Sequence, residues 1–261
     1  MLLNNSHFRK VKKLTGKAIG VFNLIEDGDR IAVAVSGGKD SYALLHILEQ
    51  LRRRAPIQYE LIAVNVDAGF PGYRKGILQE YLQECGFQVH MEATNCAQII
   101  EEKRHPGSSY CAFCARLRRG VLYNVADRLG CNKIALGHHL DDFIETLLLN
   151  QFYVGALKAM SPKLLADNKQ QTVIRPLVYV EESDIIQLAA QNEFPTIDCG
   201  CPVMGEEDQK RQRMKQLLTE LHKENRYIKR SMIRALGNVQ PRHLLDQELS
   251  RQVEPSHNYS D

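Results

Sequence analysis

The sequence predicts an α/β fold in which a parallel sheet is covered by helices on both faces. Three short apolar runs each precede a helical pattern, an alternation typical of βαβ units. The pairs are 30–35 with 40–54, 60–67 with 74–85, and 132–136 with 140–152. Their apolar residues do not alternate with polar ones, as expected for strands buried on both sides. The carboxyl ends of such strands meet at one edge, where open α/β sheets bind ligands.

Helical segments are predicted on either side of this α/β domain, which we assign to residues 30–200. Residues 1–29 favour a basic helix, and residues 201–261 favour a basic helical region with a long helix or helix pair over 206–236. With 261 residues, 44% of them hydrophobic, the chain can bury one sizeable core.

Charge is distributed unevenly along the chain. Residues 1–20 carry five basic residues and no acid, and residues 209–235 carry nine basic residues against two acids. The intervening residues 21–208 hold 18 basic and 25 acidic side chains, so basic ends flank an acidic body. This segregation favours docking of a polyanion on the terminal helices, with solvated amphipathic helices as the alternative.

The sequence contains no segment typical of membrane insertion or secretion. The N-terminus lacks the apolar stretch of a signal peptide, and no run of about 18 apolar residues occurs. We therefore expect a cytoplasmic protein with no membrane partner. Its seven cysteines are an odd number, which favours metal or redox chemistry over paired disulfides.

The hexapeptide SGGKDS at 36–41 follows the apolar run IAVAV and leads into a helical pattern. Gly37 and Gly38 let the backbone approach a ligand closely, and the free N–H groups of the next helix favour an anion. Lys39 adds a positive charge, and Ser41 adds a hydroxyl donor. The segment therefore predicts a phosphate site, with a plain strand-to-helix turn as the alternative.

This hexapeptide is not a Walker loop, because Val33 and Asp40 stand where that motif needs Gly and Ser or Thr. It resembles instead the PP-loop of the ATP pyrophosphatases. These enzymes cut ATP between its α and β phosphates and leave AMP on a substrate. The resemblance implies the adenine nucleotide alpha hydrolase-like form of the α/β fold.

A second group of ionisable residues is GHHLDDFIET at 137–146, again directly after a predicted strand. Asp141 and Asp142 can hold a magnesium ion with its waters, and the ion would offset the charge of a triphosphate. As an alternative they cap the helix that follows, and we expect one of them to do so. His138 and His139 are a weak signal for zinc.

Cysteines form a third group, CAFC at 111–114 and CGC at 199–201. Two thiolates at a helix start can bind one metal or cluster, and the helix dipole favours their deprotonation. The alternatives are a closed four-cysteine zinc site, a thioredoxin-like pair and chance, and the phosphate loop argues against thioredoxin. Cys85, Cys96 and Cys131 are expected to be small buried residues.

Taken in order, these motifs resemble the tRNA 2-thiocytidine synthetase family of sulfur transferases, from about residue 5 to about residue 245. The matching strings are SGGKDS, CxxC followed by RLRRG, GHHxDDxxET, PKL, IRPL and FPxxxC. The resemblance implies an enzyme that converts ATP to AMP and diphosphate. It adenylates the C2 oxygen of a cytidine in the tRNA anticodon loop, at tRNA position 32, and replaces that oxygen with sulfur.

The family resemblance also implies an iron–sulfur cofactor. Three cysteines of that family hold a [4Fe-4S] cluster whose fourth iron stays open. The matching positions are Cys111, Cys114 and Cys199. Cys201 is the alternative third ligand, because this chain has CxC where relatives have CxxC. Arg118 is expected to point toward the cluster from the face that carries Cys114.

Most of the remaining site residues lie in the two phosphate-side motifs. Asp67 is added because it closes the apolar run LIAVNVD, where the ribose or base of adenosine would lie. The residues expected to bind ATP are Ser36, Gly37, Gly38, Lys39, Asp40, Ser41, Asp67 and Gly137. The expected ligands of Mg²⁺ are Asp40 and Asp142. The catalytic candidates are Asp142, Lys39 and Arg118.

The expected partners are tRNA, a sulfur donor such as a cysteine desulfurase or sulfide, and a second copy of the chain in a homodimer. Other PP-loop chemistry remains as an alternative, either uridine 2-thiolation or lysidine synthesis, although the CxxC argues against lysidine. A further mechanism would use a cysteine persulfide as the nucleophile. A non-enzymatic RNA-binding protein with a structural zinc would leave SGGKDS and the aspartate pair unexplained.

Overall fold

A computed structural model of the chain describes residues 5–105, 109–203 and 209–251. Its strands are β1 (Asp29–Ala34), β2 (Tyr59–Asp67), β3 (Val89–Ala93), β4 (Lys133–Ala135), β5 (Lys163–Leu165) and β6 (Thr172–Ile174). Its helices are α1 (Ser6–Phe22), α2 (Lys39–Arg52), α3 (Lys75–Glu84), α4 (Cys96–Lys103), α5 (Tyr110–Arg128), α6 (Leu140–Tyr153), α7 (Glu182–Gln191), α8 (Gln209–Glu224), α9 (Ile228–Ala235) and α10 (Gln247–Arg251). A 3₁₀ turn occupies Pro241–His243.

The six strands form one sheet in the order β3-β2-β1-β4-β6-β5, and the predicted parallel arrangement is confirmed for five of them. The exception is β5, which pairs antiparallel with β6 at one edge of the sheet. In the pairing of β1 with β4, Val33 lies beside Ala135. The loops that carry SGGKDS and GHH therefore leave the sheet side by side.

Both faces of the sheet are covered, as predicted. Along β1, Ile31 and Val33 belong to a core that also contains residues of α1, α2 and α7. Ala32 points to the opposite face, where Leu122 and Val125 of α5 pack. Successive residues of a strand point to opposite faces, so a strand buried on both sides must be apolar throughout.

The N-terminal helix is built into this core. Phe8, Val11 and Ala18 of α1 are buried in the main hydrophobic cluster. Lys10 Nζ lies 2.7 Å from Asp184, a buried carboxylate of α7. Residues 1–4 of the predicted N-terminal segment lie outside the described residues.

The basic C-terminal region is a pair of helices, α8 and α9, and α8 packs on α6. Met214 and Leu218 of α8 are buried in a cluster that also contains Leu140, Ile144 and Leu148 of α6. Positions 204–208 and 252–261 of this predicted region are outside the described residues. Within the described part of the chain, every helix is too short or too polar to cross a bilayer.

Candidate active site

The SGGKDS segment forms the turn between β1 and α2. Gly37 has a φ of +91°, and a Cβ atom at this position would lie 2.3 Å from Ile197 Cγ1. Ile197 N donates a hydrogen bond of 3.0 Å to Gly37 O. Gly38 is the N-cap of α2, and no side chain caps the helix there. The helix start is therefore available to an anion, as the sequence predicted.

Replacing Gly37 with Ala is expected to lower the free energy of unfolding by at least about 1–2 kcal/mol, because the left-handed backbone and the contact with Ile197 both resist a side chain. Chemical denaturation measures this loss. Gly20→Ala is the control, since this position on α1 has open space around it. It should leave stability unchanged or raise it by up to about 1 kcal/mol. Equal stability of the two variants would contradict the prediction.

Gly137 brings the second motif against this turn. A Cβ at Gly137 would lie 3.1–3.3 Å from backbone atoms of Asp40 and Ser41. This close approach places His139, two residues after Gly137, between two carboxylates. Its Nε2 lies 3.9 Å from Asp40 Oδ1 and 3.5 Å from Asp142 Oδ2. The sequence treated His139 as a weak zinc signal and missed this central position.

The paired aspartates have different surroundings. Asp142 Oδ2 accepts a 2.9 Å hydrogen bond from the backbone N of His139, the N-cap residue of α6, so Asp142 is the aspartate that takes part in the capping box of this helix. Asp141 instead accepts from Glu182 N at 2.7 Å and lies 2.5 Å from Lys229 Nζ. Burial acts to raise the pKa of Asp141, but these donors outweigh it and lower that pKa. Asp142 thus shares the neighbour His139 with Asp40, and Asp141 ties together α6, α7 and α9.

Asp40 offers a carboxylate that a cation would stabilise. Its Oδ1 is buried and accepts no hydrogen bond within the described structure, although Lys39 Nζ lies 3.3 Å away. Burial raises the pKa of Asp40 above its usual value, and the neighbouring Lys39 and His139 oppose this rise. Hard carboxylate oxygens at Asp40 and Asp142 fit Mg²⁺, which binds proteins through few ligands and keeps several waters. The expected magnesium ligands are thus close together, and their role stays a prediction.

Among the residues that the structure describes, no three His, Cys, Asp or Glu side chains converge closely enough to hold one metal ion. Bound phosphates would therefore have to supply ligands for magnesium, as is usual where the ion accompanies a nucleotide.

Lys39 is held by carboxylates from two directions. Its Nζ lies 3.0 Å from Glu182 Oε1 and 3.3 Å from Asp40. Burial lowers the pKa of Lys39, but these carboxylates outweigh it and raise that pKa. Glu182 also lies 3.8 Å from Lys215 of α8. The sequence offered no signal for Glu182, because only the packing of α7 brings it to Lys39.

The two cysteine motifs meet at one cavity of about 160 Å³. Its lining includes Cys111, Cys114, Cys199 and Cys201. Ser109 caps α5 and Tyr110 begins it, so the CxxC lies at a helix start as predicted. Cys199 Sγ and Cys201 Sγ are 3.1 Å apart. Arg118 lines the same cavity, and its role toward a cluster and in catalysis stays a prediction.

Two of the clustered thiols, Cys114 and Cys201, hold their protons more tightly than an ordinary thiol, as the direction of each pKa shows. Burial raises the pKa of Cys114, and Arg118 opposes the rise. Burial and the neighbouring Cys199 sulfur raise the pKa of Cys201 to about 11. Iron or zinc binds thiolates, so metal loading would reverse this preference and release protons. An iron–sulfur cluster is wider than one ion, and four sulfurs around a cavity suit it better than a closed single-ion site.

The cysteine cavity adjoins the phosphate loop. Ser36 and Tyr73 both line the cavity, and Tyr73 OH donates to Ser36 O at 3.3 Å. Gly200 has a φ of +66°, and a Cβ there would lie 2.6 Å from the backbone of Gly72. The loop with CGC is therefore pressed against the segment that touches Ser36. A group in the cavity and a nucleotide on SGGKDS would be neighbours.

Asp67 and the three single cysteines, Cys85, Cys96 and Cys131, were also assigned roles from the sequence. Both oxygens of Asp67 already have donors, namely Gly69 N at 2.8 Å and Lys75 Nζ at 2.9 Å, so its contact with adenosine stays a prediction. Cys96 and Cys131 are buried as expected. The expectation for Cys85 is wrong, because this thiol is exposed at the end of α3, outside the packed interior.

Part of the basic C-terminal region faces inward. Arg211 Nε lies 2.8 Å from Glu145 Oε2, and Arg230 lies 3.6 Å from Glu181. Together with Lys215 and Lys229, these side chains pair with acids of α6, of α7 and of the N-cap of α7. Some basic side chains of α8 and α9 therefore face acids in this interface, and the others lie on the outer surface.

Comparison with known proteins places this site in a family. Residues 3–198 match the family described as PP-loop domain. The tRNA-cytidine(32) 2-sulfurtransferase of Syntrophotalea carbinolica is 71% identical over 242 residues, 93% of this chain and 93% of that protein. The protein of the same name from Geobacter sulfurreducens is 65% identical over 249 residues, 95% of this chain and 97% of the relative.

The fold is also found in a solved structure, that of the U34-tRNA thiolase NcsA from Methanococcus maripaludis with its [4Fe-4S] cluster. It matches with a TM-score of 0.73 and 23% identity, covering 90% of this chain and 80% of that chain. The predicted fold class and the resemblance drawn from the motifs are both confirmed. The chain belongs to the PP-loop domain family and to the family of tRNA-cytidine(32) 2-sulfurtransferases.

Proposed function

We propose that this protein is an ATP-dependent tRNA sulfurtransferase that converts cytidine 32 of the anticodon loop to 2-thiocytidine. The observation that carries the proposal is the shared wall between two sites. Ser36 belongs both to the phosphate loop and to the cavity lined by Cys111, Cys114, Cys199 and Cys201. A base activated on one side is thereby within reach of a sulfur source on the other.

The phosphate loop would carry out the activation. Lys39 and the start of α2 bind the β and γ phosphates, and Asp40 and Asp142 hold Mg²⁺, which offsets negative charge. The C2 oxygen of cytidine attacks the α phosphate, and pyrophosphate leaves. The chain supplies positioning and charge for this step, the usual needs of phosphoryl transfer.

The cysteine cavity would serve the second step. Cys111, Cys114 and either Cys199 or Cys201 would hold a [4Fe-4S] cluster, which supplies an open iron for binding sulfide. Sulfide adds to C2, the bond between C2 and the activated oxygen breaks, and AMP leaves with both bonding electrons. Arg118 lines this cavity, where its charge can stabilise the departing AMP.

The RNA must present an unstacked base at this edge, which suits an anticodon loop. Basic side chains of α1 and the outward side of α8 would bind the phosphates of the stem. We further propose a sulfide or desulfurase donor, a homodimeric assembly and a cytoplasmic location.

Thiolation of tRNA by anaerobically reconstituted protein tests the function. The assay uses ATP, Mg²⁺ and sulfide, and nucleoside mass spectrometry identifies the product. We expect 2-thiocytidine in a tRNA with cytidine at position 32, and none in the matched tRNA with uridine there. Sulfur in uridine 34, or zinc in place of iron in the purified protein, would overturn the proposal.

A further inference from the structure

The guanidinium of Arg211 spans two acidic side chains of α6. Its Nε lies 2.8 Å from Glu145 Oε2, whereas its Nη2 lies 3.6 Å from Asp142 Oδ1. The first contact is a hydrogen bond and the second is too long to be one. The side chain is thus hydrogen-bonded to Glu145 through Nε and directs Nη2 toward Asp142.

The anchor is well defined. Glu145 is 1% exposed, and burial raises its pKa while Arg211 opposes the rise. A buried carboxylate needs a partner, so Arg211 and Glu145 should remain together when ligands bind. Met214 and Leu218 seat the same helix on α6. Arg211 therefore has a fixed base from which its outer nitrogens reach toward Asp142.

The Nη2 end of Arg211 faces the proposed ATP-cleaving centre. Asp142 lies beside His139, which in turn lies beside Asp40. Lys39 and Lys215 approach the same region and share Glu182. These cations now pair with carboxylates, and a triphosphate with Mg²⁺ would change that balance, because the metal draws carboxylates and the phosphates draw cations.

We propose that Arg211 positions the pyrophosphate portion of ATP. Its Nε stays on Glu145, and its outer nitrogens exchange Asp142 for an oxygen of the β or γ phosphate when Asp142 binds Mg²⁺. The planar fork of arginine suits such a double engagement. This inference rests on the proposed function, since it assigns a further residue to the same ATP site. It also means that α8, outside the matched span of 3–198, completes the nucleotide site.

Equilibrium binding of ATP, pyrophosphate and AMP, each with Mg²⁺, tests the proposal without need of a cluster or tRNA. Arg211→Gln should weaken the binding of ATP and of pyrophosphate about tenfold or more, because one charge-assisted contact is lost. The affinity for AMP should change by less than about twofold. Arg213→Gln is the matched control, because this exposed residue lies on the same helix and loses the same charge. It should bind all three ligands like the unaltered protein.

A variant pair separates this role from a structural one. Arg211→Gln leaves Glu145 buried without its cation, so the double variant Arg211→Gln/Glu145→Gln removes both charges and keeps a neutral contact. The double variant should regain stability. Its affinity for ATP should still be reduced, whereas its affinity for AMP should be close to that of the unaltered protein. Equal weakening of ATP and AMP in the double variant would overturn the assignment. Suppose that the Arg211 variants bind ATP more weakly but AMP normally, while the unaltered protein fails to thiolate tRNA. That result would support the role of Arg211 and would count only against the sulfurtransferase function.

Discussion

Replacing Cys111 or Cys114 with Ala is expected to abolish sulfur transfer while leaving ATP affinity within about twofold of the unaltered protein. Both thiols line the cavity beside Ser36, and neither belongs to the phosphate loop. A three-cysteine cluster site that loses one ligand loses the cluster or binds it weakly. Activity is measured as 2-thiocytidine formed, and cluster content as iron and sulfide per chain together with the visible absorbance.

Single variants at Cys199 and Cys201 decide the third ligand, since both sulfurs reach the cavity. The variant that loses iron identifies the ligand, and the other should retain it. Cys85→Ser is the control, because this exposed thiol lies outside the cavity and should keep full activity. Full thiolation by Cys111→Ala would contradict the cluster assignment.

Replacing Asp142 with Asn is expected to lower kcat about 10³-fold, because a neutral amide cannot offset charge through Mg²⁺ as a carboxylate does. The helix cap should survive, since an Asn oxygen can still accept the hydrogen bond from His139 N. Single-turnover formation of AMP measures the effect, and thermal unfolding verifies that the fold is intact.

Asp141→Asn is the matched control on the neighbouring residue. Its carboxylate accepts from Glu182 N and pairs with Lys229, so its loss should reduce the free energy of unfolding by about 1–3 kcal/mol. AMP formation should fall by less than about tenfold in this variant. If Asp141→Asn failed to form AMP and Asp142→Asn formed it normally, Asp141 and not Asp142 would be the catalytic aspartate, and the prediction would be wrong.

Local pattern was enough to predict the strands and helices that begin with SGGKDS and GHH. A strand covered on both faces must be apolar at every position, and a helix start after glycines leaves N–H groups for phosphate. For this reason 30–35 and 132–136 were recognisable without any homologous sequence. The edge strand β5 was not, because its residues are half-buried or exposed and do not form the fully buried apolar run that marks a central strand.

The number of basic residues in 209–235 does not say which of them face solvent and which face the protein. The nine basic residues of 209–235 indicated a polyanion surface, yet Arg211, Lys215 and Lys229 turn toward acids of α6 and α7. Helical periodicity says which residues share a face, and it does not say what that face packs against. Only the seating of Met214 and Leu218 on α6 settles the direction.

The chain carries its chemistry in short motifs, and those motifs were sufficient to predict an ATP-cleaving loop, an aspartate pair and a cysteine centre. Their mutual arrangement depends on contacts between residues far apart in the sequence. Glu182 meets Lys39, Tyr73 meets Ser36, and Arg211 meets Glu145 only after the sheet and its helices have packed. Residue type and spacing encode local geometry and reactivity, whereas the distance between two sites is a property of the folded core.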